Sequence, residues 1–197
     1  RIKMKKKNLT TNILLKNHFD LKKMMQKYSK KITEISNLVS GTVASGGCVF
    51  WCGNGGSAAD AQHLAAELIG RFEKERKAIK SIALNSDISI LTALANDYSY
   101  DIVFSRQLEG LGRPNDILIT FSTSGNSKNI LNILKKSKIM KIKSIAILGN
   151  NGGKAKKLSD YNISLPLKNT ARIQEMHILI GHIICSVVEN NFVKNEN

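Results

Sequence analysis

The chain has 197 residues, 42% hydrophobic and 23% charged, a balance that suits one domain with a sizeable core and excludes a wholly disordered polymer. Its net charge of +15 is concentrated at the start, where residues 1–31 hold eleven Lys or Arg against one acid, Asp20. No uninterrupted apolar run reaches the ~18 residues of a membrane span, and no signal-type apolar core follows the basic Arg1–Lys7, so a cytoplasmic protein is expected.

Residues 9–45 read as helical: Leu14, Leu15, Phe19, Leu21, Met24, Met25 and Tyr28 recur at helical spacing, as do Ile32, Ile35, Leu38 and Val39. After Gly46-Gly47, Cys48–Cys52 reads as a short strand and Gly53–Gly56 as a turn. Ser57 is the expected N-cap of a helix from Ala58 to about Arg71. Further strands are expected at Ile79–Leu84, Ile117–Phe121, Ile142–Leu148 and Tyr161–Leu165. Helices are expected from Ser86–Asp87 through Ala95, then at Tyr100–Gly110, Ser127–Met140, Lys154–Leu158 and Ala171–Asn190. Strands alternating with helices predict parallel pairing and right-handed crossovers. The expected fold is α/β: a three-layer αβα sandwich with a five-stranded parallel sheet and an N-terminal helical hairpin. One domain is expected over 1–197, with helices at 1–45 and the αβα core at 46–190.

The cysteines, Cys48, Cys52 and Cys185, have no CxxC spacing, which argues against a disulfide framework or a cysteine-rich zinc site. The basic segment lacks the interleaved aromatics of a nucleic-acid platform. It can still draw in an anionic substrate. Neither nucleic acid nor membrane is an expected partner.

Ligands of such a sheet bind beyond the carboxyl ends of its strands. Two turns there are specialised. Gly53-Asn54-Gly55-Gly56-Ser57 lets backbone approach a ligand, and the next helix offers free N–H groups to an anion. It lacks the spacing of a P-loop or of GxGxxG, and it also suits a plain tight connection. Ser122-Thr123-Ser124-Gly125-Asn126-Ser127 packs four hydroxyls before a helix and has no Lys or Arg, which favours a sugar monophosphate over a triphosphate. An ordinary N-cap would need only one of those hydroxyls. His63 and Glu67 share a helix face at i and i+4, with Asp60 one turn earlier. Gln174 and His182, eight apart on the last helix, can flank one groove, while His177 alone suits a core or surface histidine.

Six segments in register resemble the sugar isomerase (SIS) domain family, of flavodoxin-like or Rossmann-like architecture, and more narrowly the bacterial phosphoheptose isomerases. They are Cys52–Ser57, Asp60–His63, Asn96-Asp97, Phe104–Gln107, Ser122–Ser127 and Arg172–His177. The resemblance runs from about residue 9 to 190. It implies an isomerase that converts sedoheptulose 7-phosphate to D-glycero-D-manno-heptose 7-phosphate, supplying heptose for lipopolysaccharide or capsule. It implies cytoplasmic homotetramers with sites between subunits. By this resemblance Glu67 is the general base and His182 the general acid. His63, Glu67, Gln174 and His182 match zinc ligands. Asn54, Gly55, Gly56, Ser57, Glu67, Asn96, Asp97, Ser122, Thr123, Ser124, Ser127 and Gln174 match substrate contacts.

The chemistry is compatible, since aldose–ketose isomerisation needs a base over carbon and an acid or metal at the oxygens. Zinc on His182 and an acid role for His182 compete for the same nitrogen. Two departures stand out. Ala171 occupies a position where relatives often have Asp, and Ala58-Ala59 replaces a more polar pair. The alternative is a non-catalytic SIS protein that binds the replication initiator DnaA; the retained Glu67 and His182 favour the enzyme. A sugar-phosphate sensor with a DNA-binding module is disfavoured, because residues 1–45 are too short for a convincing reader.

Overall fold

The structure, a computed structural model, describes residues 11–196, so the basic start Arg1–Lys7 and the first two residues of the expected helical stretch lie outside the described residues. Two helices open it, α1 (Thr11–Gln26) and α2 (Ser29–Ala44), joined at Lys27-Tyr28. Then come β1 (Val49–Cys52), α3 (Gly56–Ile69), β2 (Ser81–Ala83), α4 (Ile88–Asp97) and α5 (Val103–Leu111). The rest is β3 (Ile117–Ser122), α6 (Lys128–Ile139), β4 (Lys143–Leu148), α7 (Ala155–Leu158), β5 (Tyr161–Ser164) and α8 (Thr170–Glu196).

The strands form one five-stranded sheet of order β2-β1-β3-β4-β5, parallel throughout. β1 and β3 are buried along their whole length, as strands covered on both faces are. Their alternate side chains feed two cores. Val49, Trp51, Ile117, Ile119 and Phe121 face the side covered by α2, α3 and α8. Phe50, Cys52 and Leu118 face the side covered by α5 and α6. The three-layer α/β sandwich expected from the alternating pattern is the observed fold. The order reverses between β1 and β3, and an open α/β sheet binds ligands in the crevice at such a switch point. Both specialised turns leave the sheet there.

Trp51 is fully buried and stacks on Phe121, with centroids 6.1 Å apart and planes 3° apart. Its Nε1 donates to Ser81 Oγ at 2.8 Å, which meets the one polar demand of that ring. Burying such a side chain contributes roughly 1.5–3 kcal/mol and stiffens the floor of the crevice.

Several boundaries move from those expected. α3 begins at Gly56, so Ser57 lies inside it and is buried; the cap position falls to Gly55, whose φ of +58° the turn requires. β2 is limited to Ser81–Ala83, because it is an edge strand with one short neighbour to pair with. α8 continues past Asn190, where the sequence offers no Gly or Pro stop and Phe192 still packs on the core. α8 is also long and apolar enough to cross a membrane by length and composition, although no uninterrupted run in the sequence reaches that length. Here Ile173, Met176, Ile180, Ile184 and Val188 of α8 are buried in the core against α2 and α3.

Candidate active site

Strand β3 delivers Ser122 to the crevice, and the chain turns before α6. The loop is held in shape by its own hydroxyls. Gly125 N donates to Ser122 Oγ at 3.0 Å, and Asn126 N donates to Ser124 Oγ at 3.1 Å. Gly125 has φ +64°, and a Cβ there would collide with the Gly152 carbonyl. The turn after β4 therefore braces the loop at closest approach, with Ala155 N donating to Gly125 O at 2.9 Å. Ser127 caps α6 by position without a side-chain hydrogen bond, so its hydroxyl stays available.

The turn after β1 faces this loop. Asn54 and Asn129 exchange two hydrogen bonds, Nδ2 to Oδ1 in each direction at 2.9 Å. Tyr100 Oη donates to Asn54 Oδ1 at 3.2 Å. Asn54, Ser57, Ser122, Thr123 and Ser127 line a cavity of about 40 Å³ floored by Phe121. Hydroxyl, amide and helix N-terminal N–H groups converge on it without a fixed cation, which suits a phosphate oxyanion. Asn129 and Tyr100 carry no motif in the sequence; only the fold brings them to Asn54.

Further along α3, His63 Nε2 lies 2.9 Å from Glu67 Oε1. From α8, His182 Nε2 reaches the same His63 nitrogen at 3.0 Å. The helices approach this closely because residue 181 is Gly: a Cβ there would overlap the buried Leu64 side chain. The donor atoms of His63, Glu67 and His182 lie within 4.8 Å of one another. One proton on His63 Nε2 satisfies only one of its two contacts. A divalent cation among the donors satisfies all three, and two imidazoles with a carboxylate are an ordinary donor set for a catalytic metal with an open position. His182 has its pKa lowered by burial and by the facing His63, with Glu67 opposing. It therefore presents a neutral nitrogen, as a ligand or as a proton donor at a developing alkoxide requires. Phe72 lies over its ring, with centroids 5.5 Å apart.

The other expected site residues are placed variously. Gln174 packs on Gly56 at the start of α3, where a Cβ would strike its amide, and among the described residues no hydrogen bond joins it to the three converging groups. Asn96 and Asp97 are exposed at the end of α4 and bonded to each other, Nδ2 to Oδ1, at 2.9 Å. Asp60, half-buried one turn before His63, keeps Oδ2 without a partner; burial raises its pKa to about 6 against the pull of His63. His177 is a core histidine. It is fully buried, tilted on Phe121 at 5.7 Å and without a hydrogen-bond partner on either nitrogen, and burial pushes its pKa down to about 4 despite the nearby Leu148 carbonyl.

The chain matches the SIS domain over residues 18–149. It is 48% identical over 185 residues to the phosphoheptose isomerase of Helicobacter pylori, covering 94% of this chain and 96% of that one. It is 50% identical over 162 residues to phosphoheptose isomerase 1 of Campylobacter jejuni, covering 82% and 87%. Among solved structures, phosphoheptose isomerase GmhA from Neisseria gonorrhoeae superposes with a TM-score of 0.86 at 37% identity, covering 91% of this chain and 96% of that one. A phosphoheptose isomerase from Francisella tularensis gives 0.84 at 31% identity, covering 92% and 100%.

Proposed function

Because the chain belongs to the phosphoheptose isomerases of the SIS domain family, and is an isomerase by that membership, we propose that it interconverts sedoheptulose 7-phosphate and D-glycero-D-manno-heptose 7-phosphate through an enediol. The observation that carries this reading is the convergence of Glu67, His63 and His182, together with a hydroxyl-lined anion cavity at the start of the same helix α3.

The phosphate occupies the Ser122–Ser127 loop, with Ser57 and the start of α3 opposite. Asn54, held by Asn129, and Gly55–Gly56 contact the sugar hydroxyls, together with Gln174. Anchoring the far end of the chain presents C1 and C2 to the acid–base pair, which converts binding energy into orientation. The Glu67 carboxylate takes a proton from C1 of the ketose and returns it to C2. The electron pair of the C1–H bond forms the enediol double bond. His182 gives its proton to O2 as the C2=O π bond opens and takes the O1 proton as the C1=O bond forms, so the oxygens exchange roles without net charge. A neutral imidazole can serve as this electrophile.

His63, Glu67 and His182, with Gln174 as a fourth donor, would hold a zinc ion. When bound, it would take up the His182 nitrogen and supply Lewis-acid polarisation of the sugar oxygens in place of the His182 proton. The assembly is a homotetramer with sites between subunits. Its support is apolar surface left uncovered: Leu14, Leu15 and Phe19 of α1 and Ile88 and Ile90 of α4 are exposed. Asn96 and Asp97 end that same helix and would join the site through such an interface. A cytoplasmic role in supplying heptose for lipopolysaccharide or capsule completes the proposal.

The test is a coupled assay with sedoheptulose 7-phosphate, run with and without a chelator. Turnover that falls on chelation and returns with zinc is the expected outcome. Full turnover after exhaustive chelation would remove the metal from the account, and no turnover in either condition would remove the activity.

A further inference from the structure

A buried ion pair outside the crevice bonds the backbone of Glu67 and the backbone of Phe72, whose ring lies over His182. Glu189, on α8, is buried and accepts backbone N–H bonds from Phe72, Glu73 and Lys74 at 2.9, 2.7 and 3.0 Å. Arg76 Nε donates to the same carboxylate at 3.2 Å, and both side chains are fully withdrawn from solvent. The remaining donors of Arg76 fan over the end of α3. Nη2 donates to the Glu67 carbonyl at 2.7 Å, and Nη1 donates to the carbonyls of Leu68, Gly70 and Lys77 at 2.8, 3.0 and 3.0 Å. The Glu67 and Leu68 carbonyls, in the last turn of α3, have no intrahelical partners, and a cation there also meets the negative end of the helix dipole. Glu189 is seven residues after His182, so both lie on one face of α8. The three N–H bonds also fix the backbone of Phe72, whose ring covers His182. Burying two charges is costly unless every partner is satisfied, as here, and an apolar pair would serve stability as well. What an apolar pair would not do is hold the end of α3, the 72–74 backbone and α8 in one register.

We infer that Arg76 and Glu189 are positioning residues that set Glu67 and His182 at their working separation, Arg76 through the Glu67 carbonyl and Glu189 through Phe72. The inference rests on the proposed isomerase reading for its kinetic consequence but not for its geometry. Burial opposes ionisation of Glu189, yet the three N–H donors and Arg76 outweigh it and hold its pKa below the ordinary glutamate value, so the pair stays charged at neutral pH.

The test compares the full chain with Glu189→Gln, Arg76→Lys and Phe72→Leu. For Glu189→Gln, kcat per folded site is expected to fall about 10- to 100-fold, since displacements near 1 Å cost that much. KM should move less than about threefold, because the phosphate loop after β3 is untouched. In histidine-labelled NMR spectra at fixed pH, the His182 ring signal should lose the displacement that the Phe72 face imposes. Arg76→Lys keeps the charge but loses the fan of carbonyl bonds, and should show the same signs more weakly. Phe72→Leu leaves the ion pair whole and should reproduce the His182 signal change. A purely structural pair would lower thermal stability while kcat per folded site and the His182 signal stayed at wild-type values, and that result overturns the inference. If the wild type does not turn over the heptose phosphate, the functional reading fails and the His182 signal alone decides.

Discussion

The two groups of candidate site residues are built in opposite ways. The Ser122–Ser127 loop is mostly local: its hydroxyls order its own backbone across two or three residues, and the turn after β4 braces it. The His63–Glu67–His182 group is assembled across the fold, with His182 joining from 119 residues away. A local loop survives changes elsewhere, so it suits binding. A long-range cluster depends on how α3 and α8 sit together, so it is the more easily broken, and the proposed function gives it the chemistry.

That contrast can be attacked in order of effect. Glu67→Gln removes the base and leaves the loop, so kcat should fall about 10³-fold with KM little changed, in a coupled assay on a protein with unaltered circular dichroism. His177→Leu tests the aromatic floor beneath the loop. The folded His177 has a pKa of about 4, below the unfolded 6.5, so the unfolded chain takes up a proton that the native state refuses. Stability is fully present above pH 6.5 and is lost as pH falls through that window toward 4, by about 3 kcal/mol. In urea titrations from pH 7 to 4, the variant should lose less stability on acidification than the wild type. Gly181→Ala forces α8 away from Leu64; overpacking of this kind costs about 1–3 kcal/mol, and kcat should suffer more than KM. Asn129→Ala frees Asn54 on the binding side. A loss of about 1 kcal/mol is expected there, read chiefly as a few-fold rise in KM.

The same contrast explains what the sequence disclosed. The strand–loop–helix around Ser122 is contiguous, so its residue types announced an anion site. His63 and Glu67 were legible as one helix face through their i, i+4 spacing. That His182 faces them was legible only through family resemblance, because what brings the helices together is the missing side chain of Gly181. Arg76, Glu189, Phe72 and Asn129 gave no signal, since each matters through a partner far away in the chain. The helix cap misread at Ser57 has a local cause: the turn uses the left-handed freedom of Gly55, so the helix starts before the hydroxyl that would have capped it. The exposed apolar residues of α1 and α4 read as ordinary amphipathic helix, and among the described residues nothing covers them.

The central claim is that Glu67 moves a proton between C1 and C2 through an enediol. Turnover in deuterium oxide tests it most directly, because Glu67 is partly open to solvent and its proton exchanges. The account predicts one solvent deuteron fixed on carbon in the heptose 7-phosphate product, with wash-in abolished in Glu67→Gln. Full turnover without solvent deuterium, or wash-in undiminished in that variant, would contradict it.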